Sequence, residues 1–234
     1  MTDAALPAPR PEVFARTALF GALDTASLER LAAMAKPLSF RNEAVIFRQG
    51  DPSRGLYVVE RGRVKISASS AEGREIALNL LGPGEVIGEI TLVDGGPRTA
   101  DAIACEPVRL LALDRADLIP FLEQSPALML RMLAALSARV RWVSQRYEDS
   151  MFLPLPARMA KRLLFLGENF GVNSPAGRRL TVSLPQRELA SHMGVTRETI
   201  NRLLQEWRDS GLIAIDRGVI VLKDMPGLAR MVGE

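Results

Sequence analysis

The chain has 234 residues, 47% hydrophobic and 24% charged, which is enough apolar material for one large core or two small ones. The formal net charge is +3, and Cys105 is the only cysteine, so an intrachain disulfide and any multi-cysteine zinc or iron–sulfur centre are excluded. No apolar run reaches the roughly 18–20 residues of a membrane helix, and MTDAALPAPRPEVFAR has no apolar segment behind a basic patch; the expectation is a cytoplasmic chain with no secretory signal and no membrane partner.

Residues 1–18, with early alanines and three prolines, read as a flexible leader. LDTASLERLAAMAKP then predicts a short helix: Asp24 or Thr25 can cap it, Leu28, Leu31 and Met34 recur at helical spacing, and Pro37 ends it. From Ser39 to Asp114 the texture changes to short runs, AVIF, GLYVVE, RVKISA, EIALNLL, EVIGEI, TADAIA and VRLLAL, separated by glycine-bearing turns. Regular short strands of this kind predict an antiparallel barrel or sandwich. Asp114 is placed to cap RADLIPFLEQSP, where Pro120 argues for a short or kinked element.

A longer helix is predicted from Ala127 to Ser150. Met129, Leu133, Leu136, Val140, Val143 and Tyr147 are spaced 4, 3, 4, 3, 4, a coiled-coil seam of about three heptads. The stripe can pack on the chain's own sheets, but the flanking Arg131, Arg139, Arg141 and Arg146 disfavour a helix buried all round and favour a seam between two copies. Pro154 and Pro156 interrupt helical geometry and mark a hinge. The chain therefore divides into a leader (1–18), a beta domain (19–126), a dimerisation helix with hinge (127–153) and a C-terminal domain (154–234).

Positive charge is concentrated at the C-terminal end: residues 154–234 hold 12 Lys+Arg against 8 Asp+Glu, whereas residues 1–153 hold 18 against 19. PQRELASHM predicts a short helix with Leu189 and Met193 inward, Gly194 a sharp turn, and Thr196 the cap of a second helix whose inward stripe is Ile200, Leu203, Leu204 and Trp207. Two helices joined by a short glycine-containing turn form a helix-turn-helix, whose second helix enters the DNA major groove. GLIAIDRGVIVL follows as a two-stranded wing around Asp216, Arg217 and Gly218. Arg197, Glu198, Asn201 and Arg202 stay on the outer face. The arginines can fork onto guanine and Glu198 can accept from cytosine; a solvated face with a Glu198–Arg202 ion pair is the structural alternative. Gln186, Thr196 and Thr199 complete the candidate DNA-binding set. His192, with no second ligand nearby, is expected at phosphate or solvent.

GEITLVDGGPRTADA, residues 88–102, sets one carboxylate, Glu89, and one guanidinium, Arg98, in an otherwise small or apolar stretch. Together with VTRETINRLLQEW, this motif makes residues 19–222 resemble the cyclic-AMP receptor protein family of bacterial transcription regulators. The resemblance implies an α+β fold: an N-terminal antiparallel beta jelly-roll sensor, a long dimerisation helix and a C-terminal winged helix-turn-helix. It implies a cyclic-nucleotide site at Gly88, Glu89, Ile90, Arg98, Thr99 and Ala100. There Arg98 would pair with the cyclic phosphate, and Glu89 would accept from the 2′-hydroxyl. Arg139, Val143 and Ser144 of the long helix would complete that site. Val143 stands where relatives place a hydroxyl residue, so cyclic AMP and cyclic GMP both stay open as effectors.

The same resemblance implies a homodimer, a palindromic TGTGA-type promoter site and RNA polymerase as partners. No cofactor, metal site or enzymatic activity is expected. The lack of an N-terminal cysteine cluster, and of a sensor histidine to join Cys105, count against the oxygen-sensing and haem-binding branches. A regulator that is ligand-independent or answers another effector such as cyclic di-GMP is the alternative, and a nucleotide-hydrolysing enzyme a remote one.

Overall fold

The computed structural model describes residues 7–69, 75–181, 185–216 and 218–233. It divides into two compact units, residues 1–141 and 142–234, with the division inside the long helix.

The first unit begins with α1 (Pro11–Ala15) and α2 (Thr25–Met34). The Asp24 carboxylate accepts from the Ser27 N–H at 2.7 Å, an N-cap that satisfies one orphan donor of α2. Among the described residues eight strands follow: β1 (Lys36–Phe40), β2 (Val45–Phe47), β3 (Gly55–Arg61), β4 (Val64–Ser69), β5 (Glu75–Leu81), β6 (Val86–Ile87), β7 (Asp101–Ala104) and β8 (Val108–Asp114). They form two antiparallel sheets, β1-β8-β3-β6 and β2-β7-β4-β5, the strand order of a jelly roll. Pro37, expected to end the helix, lies in β1, an edge strand that tolerates a residue without an N–H.

The first sheet is covered on both faces. From β8, Val108 and Leu110 point into the space between the sheets, while Leu111 and Leu113 point to a helical layer; β3 likewise sends Val59 one way and Leu56 and Val58 the other. Strands buried on both faces need apolar residues at successive positions, which is why LYVV and LLAL read as unbroken runs.

Part of the expected leader belongs to this helical layer. Phe14 is fully buried and meets Phe20 edge-on at 6.0 Å, Thr17 bridges the Phe14 carbonyl and the Phe20 N–H, and the Pro7 carbonyl accepts from Arg109. Residues 11–18 are thus a correction to the leader reading: an aromatic side chain offered a greasy sheet face is removed from water despite the surrounding prolines. Residues 1–6 lie outside the described residues.

EVIGEI is a second correction. Only Val86 and Ile87 are strand; Gly88 takes φ +87° and the chain enters α3 (Glu89–Asp94), since a left-handed residue cannot continue a strand. α4 (Arg115–Glu123) carries Pro120 within it, and α5 (Pro126–Phe152) is 27 residues long.

α5 has two apolar stripes. Leu128 and Met132 are buried in the helical layer, with Leu136 packed against its edge. Met129, Leu133, Val140, Val143 and Tyr147 remain between 47% and 67% exposed.

In the second unit α6 (Leu155–Phe170) starts behind Pro154 and is followed by β9 (Gly171–Ser174) and β10 (Gly177–Leu180). α7 (Gln186–Met193) and α8 (Arg197–Asp209) come next, then β11 (Ile213–Asp216), β12 (Val219–Leu222) and α9 (Met225–Val232). The sheet order is β11-β12-β10-β9, so the expected two-stranded wing is half of a four-stranded sheet. The added hairpin escapes a sequence reading because its apolar anchor is a single residue, Leu180. Arg217 of the wing lies outside the described residues.

Candidate functional site

Gly88 and Arg98 depend on one another. At φ +87° a residue with a side chain is strained, and a Cβ on Gly88 would run into Arg98 Nη1. The glycine therefore provides both the turn from β6 into α3 and the space in which the guanidinium lies. Arg98 is only 3% exposed. Its Cζ is 4.3 Å from the Phe47 ring centroid and 5.3 Å from that of Tyr57, and the two rings are stacked 5.9 Å apart. Nη1 donates to Thr91 Oγ1 at 3.1 Å, and Thr91 Oγ1 donates to Ser53 Oγ at 2.7 Å. The backbone is pinned too: Arg98 N–H donates to the Asp51 carbonyl, and Gly50 N–H donates to the Arg98 carbonyl, both at 2.8 Å.

Burial draws the Arg98 guanidinium below the ordinary arginine range, opposed by Tyr57, Glu89 and Asp51. No carboxylate among the described residues lies within ion-pair distance of it, Glu89 included. A buried guanidinium supported by rings and a hydroxyl, with carboxylates near but not paired, is a cation prepared for an external anion.

Glu89 and Ile90 are half-buried on the first turn of α3, Ala100 is buried and Thr99 is exposed. Arg139 is half-buried in the same unit and attracts Glu85, whose carboxyl desolvation holds above the ordinary range against the Gly82 N–H and Arg139. Val143 and Ser144 are exposed residues of the other unit. Phe47, Tyr57, Thr91 and Ser53 are missed by the sequence reading. Thr91 sits within the quoted stretch and is legible as a polar residue in an apolar run; the two rings come from β2 and β3, which only strand order brings to Arg98.

The helix-turn-helix has the expected anatomy. Leu189 and Met193 of α7 and Ile200, Leu203, Leu204 and Trp207 of α8 are buried, and Gly194 turns the chain at φ +68°. Thr196 Oγ1 accepts from Thr199 N–H at 3.3 Å and caps α8. Arg197, Glu198 and Arg202 are exposed, and no ion pair joins Glu198 to Arg202 among the described residues. The Glu198 carboxyl is held below its ordinary range by its own backbone N–H and then by the Thr196 hydroxyl. Gln186 and Thr199 are half-buried. Asn201 departs from the outer-face reading: it is half-buried, with Oδ1 enclosed and unpartnered. His192 is half-buried, and its Nε2 is 3.3 Å from Arg162 Nη2.

Among the described residues no group of three or more His, Cys, Asp and Glu is placed to hold a metal ion, and no helix is long and apolar enough to cross a membrane.

Residues 37–125 match the cyclic nucleotide-binding domain, and residues 157–231 match the Crp-like helix-turn-helix domain. The chain is 32% identical over 219 residues to a CRP-like cAMP-activated global transcriptional regulator of Mycobacterium tuberculosis, covering 94% of this chain and 98% of that one. Among solved structures, a CRP/FNR-family transcriptional regulator from Thermus thermophilus is similar with a TM-score of 0.72 and 29% identity, over 85% of this chain and 99% of the other. The c-di-GMP responsive global regulator CLP of Xanthomonas campestris is similar with a TM-score of 0.75 and 25% identity, over 85% and 99%. Both domains and these relatives are those of transcription regulators, not of enzymes. With a jelly roll, a long helix and a helix-turn-helix in that order, the chain belongs to the cyclic-AMP receptor protein family of transcription regulators.

Proposed function

We propose that this chain is a cytoplasmic, homodimeric regulator in which cyclic AMP or cyclic GMP, bound in the jelly roll, raises the affinity of the helix-turn-helix for a palindromic TGTGA-type promoter site, where it works with RNA polymerase. The observation that carries the reading is the buried Arg98 guanidinium, which has no paired carboxylate among the described residues. A cyclic phosphate brings the single negative charge it lacks, and a charge-assisted fork is among the stronger hydrogen-bonding arrangements. Glu89, half-buried at the start of α3, accepts from the ribose 2′-hydroxyl. The small and apolar Ile90 and Ala100 exclude water, which strengthens each polar contact. The exposed apolar stripe of α5, at heptad spacing, supports the dimer.

A hundredfold stimulation of DNA binding needs about 2.7 kcal/mol of coupling, an ordinary allosteric magnitude. Labelled TGTGA-type DNA titrated with and without each cyclic nucleotide tests the reading. Arg98→Leu is expected to abolish the stimulation and the nucleotide affinity while leaving basal DNA binding intact. Unchanged nucleotide affinity in that variant refutes the pocket.

A second reading, in which cyclic di-GMP is the effector, draws on the likeness to the Xanthomonas regulator and on Val143 in place of a hydroxyl residue. Calorimetry with all three nucleotides separates the two.

A further inference from the structure

The second unit holds a cavity that the proposed function does not use. Its volume is about 260 Å3, and it lies between the C-terminal half of α5, α6 and α7. Trp142, Arg146, Asp149, Arg158, Lys161, Arg162, Phe165 and His192 supply its chemistry. Four of these side chains are basic and one is acidic. That anion is already committed, since Lys161 Nζ is 2.8 Å from Asp149 Oδ1 and Gln145 also donates to it.

Arg162 is the centre of the imbalance. It is 9% exposed, no carboxylate among the described residues pairs with it, and its Nε–H is buried with no acceptor. Its Nη2 lies 3.3 Å from the His192 ring Nε2. Burial first, and then the nearby Arg146, push the Arg162 guanidinium down to about 10. Burying an uncompensated guanidinium beside a second one is costly unless something negative joins them.

The walls are aromatic. The Arg162 Cζ lies 5.5 Å from the Phe165 ring centroid, and the Arg146 Cζ lies 4.9 Å from that of Trp142. By the 3.6-residue repeat, Trp142, Arg146 and Asp149 share one side of α5, whereas Val140, Val143 and Tyr147 fall on the other. The α5 residues that line the cavity therefore lie off the side that carries the seam. Its size falls just below the roughly 300–1,000 Å3 of sites for drug-sized ligands, which favours a small metabolite over a dinucleotide.

We infer that this cavity binds a small organic anion, its phosphate or carboxylate held by Arg162 and Arg146 and its flat apolar body lying against Trp142 and Phe165. The anion supplies the acceptor that the Arg162 Nε–H lacks. The rings select an aromatic or otherwise planar body over a bare inorganic ion.

Isothermal titration of the full chain with phenyl phosphate, benzoate, benzyl alcohol and inorganic phosphate tests this. Phenyl phosphate or benzoate is expected to saturate at one per chain with a Kd below about 1 mM. Benzyl alcohol, which lacks the charge, and inorganic phosphate, which lacks the ring, are each expected to bind at least about tenfold more weakly. Arg162→Gln is expected to remove binding; since a buried residue is changed, Arg146→Gln, on a half-exposed residue, is expected to weaken it about tenfold in a chain that still folds. The inference is overturned if neither aromatic anion saturates by about 10 mM, or if Arg146→Gln leaves the Kd unchanged.

Discussion

Gly88→Ala isolates what the glycine does for Arg98. Two costs follow from the structure. The first is backbone strain: at φ +87° an alanine is disfavoured by about 1–2 kcal/mol. The second is specific, because the new Cβ meets Arg98 Nη1, and Arg98 is held against the Phe47 and Tyr57 rings and by Thr91. Gly50→Ala is the matched control. Gly50 has the same φ of +87° and its N–H bonds the Arg98 carbonyl, yet a Cβ there meets nothing within 4 Å.

Both variants are expected to lose about 1–2 kcal/mol, lowering the thermal midpoint by roughly 2–8 °C for a chain of this size. Only Gly88→Ala is expected to lose ligand affinity as well. Displacing one charge-assisted hydrogen-bonding group costs about 1.5–3 kcal/mol, roughly a 10- to 150-fold rise in the cyclic-nucleotide Kd. Calorimetry on the two proteins side by side reads the difference. Equal cyclic-nucleotide affinities in the two alanine variants would refute the argument that Gly88 makes room for the guanidinium.

Phe14→Ala removes a fully buried ring and is expected to destabilise the first unit by about 3–5 kcal/mol in urea unfolding; a loss under about 1 kcal/mol would restore the leader reading. Val140→Glu changes a residue that is 65% exposed, so folding of the separate chain is expected to survive while dimerisation in analytical ultracentrifugation weakens by at least about tenfold; an undiminished dimer would move the interface elsewhere. Glu198→Ala is expected to relax preference at one base pair by about 1–3 kcal/mol in competition binding, with ligand affinity unaltered. Because the Glu198 carboxyl is held below its ordinary range, it stays ionised, and the wild-type preference persists, to a lower pH than a free glutamate allows; loss of preference within the ordinary glutamate range would contradict this.

Local chemistry made the helix-turn-helix readable. Thr196 caps α8, Gly194 supplies the left-handed turn, and the stripe Ile200, Leu203, Leu204 and Trp207 follows the helical repeat, so each signal lies within a few residues of its effect. The alternation of short apolar runs and glycine turns likewise determined a beta domain, and the 4-3-4-3-4 spacing determined the exposed stripe of α5 except at Leu136, which packs against the core of the first unit. The linear order of residues also placed Glu89 and Arg98 in one motif.

What it did not contain was anything that depends on segments far apart in the chain. Phe14 lies among prolines and reads as leader, because only the finished sheet presents the apolar face that buries it. Arg98 reads as a phosphate-pairing cation by resemblance alone; the stacked rings of Phe47 and Tyr57, which pack against it where it is buried, arrive from two strands of different sheets. His192 and Arg162 are 30 positions apart and meet only through packing in the second unit. Periodicity and capping are short-range and survive in the order of residues, whereas the dielectric around a charge is set by whichever distant side chains the fold brings to it.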